Sequence, residues 1–179
     1  MKVIIGLWNP WKKYEYTRHN VGYMMVNLLR KSWNFDDWQE SRFQAVIREW
    51  IYDGEKIVLI KPTTFMNLSW DAVMSIVNFY KLDPKADILV ISDDIDMDFA
   101  KVRYRTKWSH GGQNGLRDII MKLGSDEFSR IKIGIGRHEQ YSVSDWVLSK
   151  FTKEEFKKLH EEVFLQVEVY IKKWLWDSI

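Results

Sequence analysis

Short runs of β-branched and aliphatic residues recur along this chain with helical patterns between them. Val3-Ile4-Ile5, Lys56–Lys61, Ile88–Ile91 and Ile131–Ile135 have the length and composition of buried strands. Apolar residues at helical spacing follow each of them, over roughly 20–32, 69–81 and 114–123. A last helix opens at the capping box Thr152-Lys-Glu-Glu155. Strands that alternate with helices in this way form layered α/β domains. One early hairpin, Phe43–Tyr52 and Lys56–Lys61 around the turn signal Asp53-Gly54, adds an antiparallel pair. The pattern therefore predicts an α/β fold: a single three-layer domain over residues 1–179, with a mixed, mostly parallel central sheet flanked by helices. Ser32–Ser41 reads as a loop, and Lys101–Lys107 as an edge strand with Arg103, Arg105 and Lys107 on one side.

Length and composition narrow the function classes. The 179 residues suit one domain with a sizeable core, and the formal net charge of +2 gives no global pull toward nucleic acid. With no cysteine there is no disulfide framework and no thiolate metal site. An N-terminal signal pattern and a long uncharged apolar run are both absent, so a cytoplasmic protein with no membrane contact is expected.

The polar clusters sit where α/β sheets carry sites, in loops at the carboxyl ends of strands and at helix starts. They are Asn9–His19, Phe65-Met66-Asn67, Asp93, and Gly111–Asn114. His19 is expected near a helix start capped by Thr17, where the helix dipole disfavours the imidazolium and suits a general base. Brought together, a histidine, an aspartate and three asparagines make a hydrolytic site: His19 as base, Asp93 orienting it, and asparagine amides stabilising a developing oxyanion. No part of this needs a metal, a cofactor or a covalent nucleophile. Each piece also has a plainer reading: Asn67 and Asn114 as helix caps, Asp93 as a turn residue, Gly111, Gly112 and Gly115 as loop geometry. Sharper motifs fail. Asp94-x-Asp96-x-Asp98 opens like a calcium loop but has Phe99 at the sixth position and Arg105 at the twelfth. There is no Walker loop and no Gly-x-Ser-x-Gly elbow. A metal-dependent phosphodiesterase built on Asp93, Asp94, Asp96 and Asp98 is disfavoured, because alternation along an extended segment splits them between two faces.

Six blocks then occur in order: Asn9-Pro10, Thr17–Gly22, Lys61–Ser69, Asp93–Asp96, Gly111–Leu116 and Arg130–Gly136. Together they resemble the bacterial peptidyl-tRNA hydrolase family over nearly the whole chain. That resemblance implies a monomeric, cytoplasmic, cofactor-free enzyme. Its partner is peptidyl-tRNA, held mainly at the acceptor stem and 3′ end, and it cleaves the ester between peptide and 3′ ribose. It implies that His19 activates water, that Asp93 holds His19 in its basic form, and that Asn9 distinguishes N-blocked from free aminoacyl-tRNA. Tyr14, Phe65, Met66, Asn67 and Asn114 then contact substrate, and Arg105 and Lys132 grip the 5′ phosphate. The alternative on the same fold is a non-catalytic RNA-binding module, which binds tRNA in a salt-dependent way without turnover.

The chain departs from that family at glycines. It holds 10 tryptophans against 9 glycines. Trp8, Trp11, Trp70 and Trp108 stand where the family has glycine, Trp33 and Trp174 less securely so, and Gln113 replaces a frequent histidine. If Asn9-Pro10-Trp11-Lys12 is a type II turn, Trp11 is forced to positive φ, which strains a bulky residue. Two accounts compete: a relative that lost catalysis, or a source that reads UGA as glycine, with the chain translated as though UGA meant tryptophan. Recoding better explains substitutions that fall on glycines while His19, Asp93, Asn9, Asn67 and Asn114 all remain.

Overall fold

The computed structural model describes residues 1–63, 69–107 and 110–176. Strand β1 (Lys2–Gly6) is buried throughout and leads through two short 3-10 turns, Lys12–Tyr14 and Arg18–Asn20, into helix α1 (Val21–Ser32). A short strand β2 (Gln39–Ser41) lies in the stretch expected to be loop. It pairs antiparallel with β3 (Ala45–Tyr52), which makes the expected hairpin with β4 (Glu55–Pro62). The hairpin turn has Asp53 and Gly54 both at positive φ, the type I′ signature of Asp-Gly.

Helix α2 (Ser69–Tyr80) and a single turn, α3 (Pro84–Asp87), precede β5 (Ile88–Asp94). Asp83 caps α3 by accepting from the Lys85 N–H, with proline at the first turn. Strand β6 (Val102–Arg105), helix α4 (Asn114–Leu123) and strand β7 (Ser129–Gly134) complete the sheet. Helices α5 (Val143–Leu148), α6 (Lys153–Lys158) and α7 (Phe164–Trp176) end the chain, the last two joined by a wider helical turn at Leu159–Val163. The expected capping box at Thr152 and Glu155 is present in both directions. Helix α5 is not marked by any signal used above.

Among the described residues the seven strands run in the order β2-β3-β4-β1-β5-β7-β6. The β4-β1-β5-β7 centre is parallel, and the antiparallel pairs lie toward the edges, with β6 an edge strand as its charges suggested. Two apolar cores fill the two faces. One packs α1 and α7 residues such as Met25, Leu29, Val167 and Ile171 against Ile4, Leu59, Leu89 and Ile131. The other packs Val73, Ile76, Leu116 and Ile119 of α2 and α4 against Val3, Ile5, Val58 and Val90. This is the helix–sheet–helix layering that continuous apolar strands demand. No helix among the described residues is long and apolar enough to cross a membrane.

Candidate active site

The site forms where the loop after β1 meets the end of β5. Gly22 sets how close they come: a Cβ there would lie 2.2 Å from the Ile91 carbonyl oxygen, so any side chain would push the start of α1 off the sheet. Main-chain bonds lock the approach, Leu7 N–H to Ile91 O at 3.1 Å and Tyr23 N–H to Leu7 O at 3.3 Å.

Asn20 holds the loop itself. It is fully buried, its Oδ1 accepts from the Asn9 N–H at 2.7 Å, and its Nδ2 donates to the carbonyls of Asn9 (3.1 Å) and Tyr14 (2.7 Å). Arg18, 3% exposed, fastens the turn on its other side. It pairs with both oxygens of Glu155 at 3.1 and 3.0 Å, donates to Ser149 Oγ, and stacks 3.8 Å from the Trp146 ring. Sequence reasoning gave neither residue a role; both stand in the Thr17–Gly22 block, but burial of a polar side chain leaves no periodic signal.

Between them His19 is aimed at β5. Its Nδ1 lies 2.8 Å from Asp93 Oδ2, with the histidine side chain 12% and the aspartate 4% exposed. The carboxylate only accepts, so Nδ1 carries the imidazole proton and Nε2 of the neutral ring is left as acceptor. Burial alone would lower the His19 pKa; the charge of Asp93 and its hydrogen bond outweigh that and leave it raised above 6.5. This differs from the expected helix-dipole effect, because His19 precedes α1 in a 3-10 turn and faces a carboxylate instead. Thr17 does not cap either: its Oγ1 donates to the Tyr14 carbonyl at 2.9 Å.

His19, Asp93, Asn9, Asn114 and Lys132 line one cleft of about 860 Å³, together with Gly111, Gly112 and Gln113. Asn114 is the first residue of α4, and the cap is Gln113, whose Oε1 accepts from the Leu116 N–H at 2.7 Å. Lys132 is 4% exposed and paired with Asp94 Oδ2 at 2.8 Å. It lies opposite Arg103 in the β6–β7 ladder, two residues from the level of Arg105. Alternation therefore puts Arg103, Arg105 and Lys132 on one face of the sheet. Arg105 does not line the cleft, and neither does Tyr14. The Tyr14 ring lies 6.4 Å from Trp11 and under the Lys13 ammonium, outside the floor of the site. Phe65, Met66, Asn67 and Trp108 lie outside the described residues.

The tryptophans are accommodated differently from expectation. Trp11 has φ −81° and ψ 136°, an ordinary extended conformation, so no positive φ is imposed. Trp8 stacks on Tyr23 with centroids 4.2 Å apart, and its Nε1–H donates to the Pro62 carbonyl.

An imidazole held by a carboxylate and lining a cleft on an α/β sheet keeps an acceptor nitrogen for a proton. The family model described as peptidyl-tRNA hydrolase matches residues 3–179. The chain belongs to the peptidyl-tRNA hydrolase family. A curated peptidyl-tRNA hydrolase of Fusobacterium nucleatum is 53% identical over 161 residues, 90% of this chain and 83% of its own length. That of Bacillus subtilis is 44% identical over 164 residues, 91% and 86%. A crystal structure of peptidyl-tRNA hydrolase from Acinetobacter baumannii matches with TM-score 0.87 at 30% identity, over 99% of this chain and 92% of that one. The peptidyl-tRNA hydrolase fold and its layered mixed sheet are thus those of this chain.

Proposed function

We propose that the chain hydrolyses the ester joining a peptide, or an N-blocked amino acid, to the 3′ ribose of tRNA, with His19 as general base. The observation that carries this is the His19–Asp93 hydrogen bond of 2.8 Å at the cleft floor. Nε2 takes a proton from water as the oxygen attacks the ester carbonyl. The ester C–O bond then breaks, and the imidazolium returns the proton to the departing 3′ oxygen. Asp93 stabilises that imidazolium and fixes the tautomer. An ester needs less help than an amide, so one positioned base and amide donors suffice.

Asn9 and Asn114 line the cleft with His19 and are assigned to the carbonyl and its oxyanion; Asn67, Phe65 and Met66 take substrate-contact roles from the sequence resemblance alone. Tyr14, which does not line the cleft, takes the same role from that resemblance. Arg105 and Lys132 are assigned to backbone phosphate, which positions a substrate without reading its sequence. The substrate acts at its acceptor stem and 3′ end, the protein works as a monomer in the cytoplasm, and residues 1–179 act as one domain without a cofactor.

Release of N-acetyl-amino acid from charged tRNA tests this reading. His19→Ala is expected to lower turnover by about 10²–10⁴, the usual contribution of a positioned base, while tRNA affinity stays within a few-fold. Equal loss of both would make His19 structural.

A further inference from the structure

Asp93 is held at both of its oxygens. Oδ2 faces His19, and Oδ1 accepts a hydrogen bond from Gln113 Nε2 at 3.3 Å. Gln113 is itself 7% exposed and occupies the N-cap of α4, where its Oε1 accepts from the Leu116 N–H at 2.7 Å. The cap decides which way the amide points. With Oε1 committed to an N–H donor, the amide nitrogen is left for the carboxylate. The flipped amide would set oxygen against carboxylate and NH₂ against N–H, two repulsions in place of two bonds. A helix N-terminus thus orients an amide, the amide orients a carboxylate, and the carboxylate orients the base.

We infer that Gln113 is a positioning residue: it locks Asp93 in the rotamer that presents Oδ2 to His19 Nδ1. A carboxylate rotates readily about its terminal torsion, so one hydrogen bond at Oδ2 leaves it free to swing. A second donor, coming from a different element of the fold, removes that freedom. Because Gln113 carries no charge and does not titrate, it holds the pair without adding a further protonation step.

The test separates this role from plain helix capping. Gln113→Asn keeps a strong N-cap on a side chain one methylene too short to serve both partners. Two quantities are read. The first is the His19 titration midpoint by NMR of the imidazole, which needs no substrate. The second is kcat and KM on N-acetyl-aminoacyl-tRNA, which rests on the hydrolase reading. The midpoint is expected to fall from its raised wild-type value as Asp93 loosens. The kcat is expected to drop about tenfold, one decade of what a positioned base contributes, with KM little changed. A midpoint that stays or rises, or a kcat that stays, overturns the inference. Gln113→Thr, also cap-competent and also out of reach of Asp93, repeats both readings if the first variant does not fold. An inactive wild type would sink the hydrolase reading, while the NMR titration would still decide the role of Gln113.

Discussion

Asn20→Ala is the sharpest test of how the site loop is built. The substitution removes one acceptor and two donors from a fully buried position and leaves Asn9 N–H, Asn9 C=O and Tyr14 C=O without the amide they share. Each bond is worth about 1 kcal/mol net, and the Tyr14 carbonyl keeps the Thr17 N–H and Oγ1 as donors, so the three together come to about 3 kcal/mol. That is a large fraction of the roughly 5–15 kcal/mol that holds a domain together. At about 2–4 °C per kcal/mol for a chain of this size, calorimetry should show Tm lower by about 6–12 °C. Asn20→Asp is expected to be at least as harmful: it keeps the acceptor for Asn9 but turns carboxylate oxygen toward two carbonyls. Turnover should fall further than tRNA affinity in both, because Asn9 loses its fixed backbone. A Tm drop below about 3 °C, or an aspartate variant as stable as wild type, would show that the loop is held by something other than this amide.

Four further outcomes follow from the same geometry. The acid limb of kcat/KM should lie above pH 6.5, because the His19 pKa is raised. Such a raised group adds stability below its unfolded value of about 6.5, and this is lost as pH rises through the folded value. Asp93→Asn removes what raises it and leaves burial, so the His19 midpoint measured by NMR should fall below 6.5. Arg18→Ala breaks a two-pronged pair with Glu155 and a stack on Trp146 and should cost about 3 kcal/mol, as for buried ion pairs that lose one partner, measured by urea unfolding. Arg105→Ala should weaken tRNA binding uniformly across tRNAs and reduce the salt slope by about 1, read by filter binding at several salt concentrations.

Much of the fold was legible because buried strands and amphipathic helices leave periodic marks. Val3–Ile5 and Ile88–Ile91 run as unbroken apolar stretches, and Asp53-Gly54 announces its turn. The short strand Gln39–Ser41 was not legible: it is polar, exposed or half-exposed, and exists because β3 offers it an edge. Helix α5 is six residues long with no buried position, so it has no stripe to find. In the site, His19 and Asp93 could be nominated from residue type and loop position. Their partners could not. Asn20, Arg18 and Gln113 act through hydrogen bonds to residues 11, 137 and 20 positions away, and nothing in local sequence records a contact at such range. The sign of the His19 shift differs for another reason: the sequence reading pairs His19 with Asp93 but weighs the helix dipole, whereas the Asp93 charge and hydrogen bond decide the direction.

Trp8 bears on the question of the misplaced tryptophans through its neighbour Lys61. That lysine is 5% exposed, with its ammonium 3.8 Å from the Trp38 ring, 4.7 Å from Tyr23 and 5.7 Å from Trp8, and 3.3 Å from Asn27 Oδ1. Burial, seconded by the Arg30 charge and only partly opposed by Glu15, pulls its pKa down to about 7. Between about pH 7 and the unfolded value of about 10.4, the folded chain therefore binds fewer protons than the unfolded one. Stability should rise with pH across that window. Trp8→Gly takes away one wall of the enclosure and admits water to Lys61, while losing the Tyr23 stack and the bond to Pro62. Its sign at pH 7 separates the two accounts of the sequence. A native tryptophan makes the glycine chain less stable by about 3 kcal/mol, the lower end for truncating a large aromatic. A recoded glycine makes it the more stable chain, and UGG codons at positions 8, 11, 70 and 108 would end that account. In either case the upward drift of Tm from pH 7 to 10 should flatten in Trp8→Gly. An undiminished drift would show that Trp8 is not what keeps Lys61 dry.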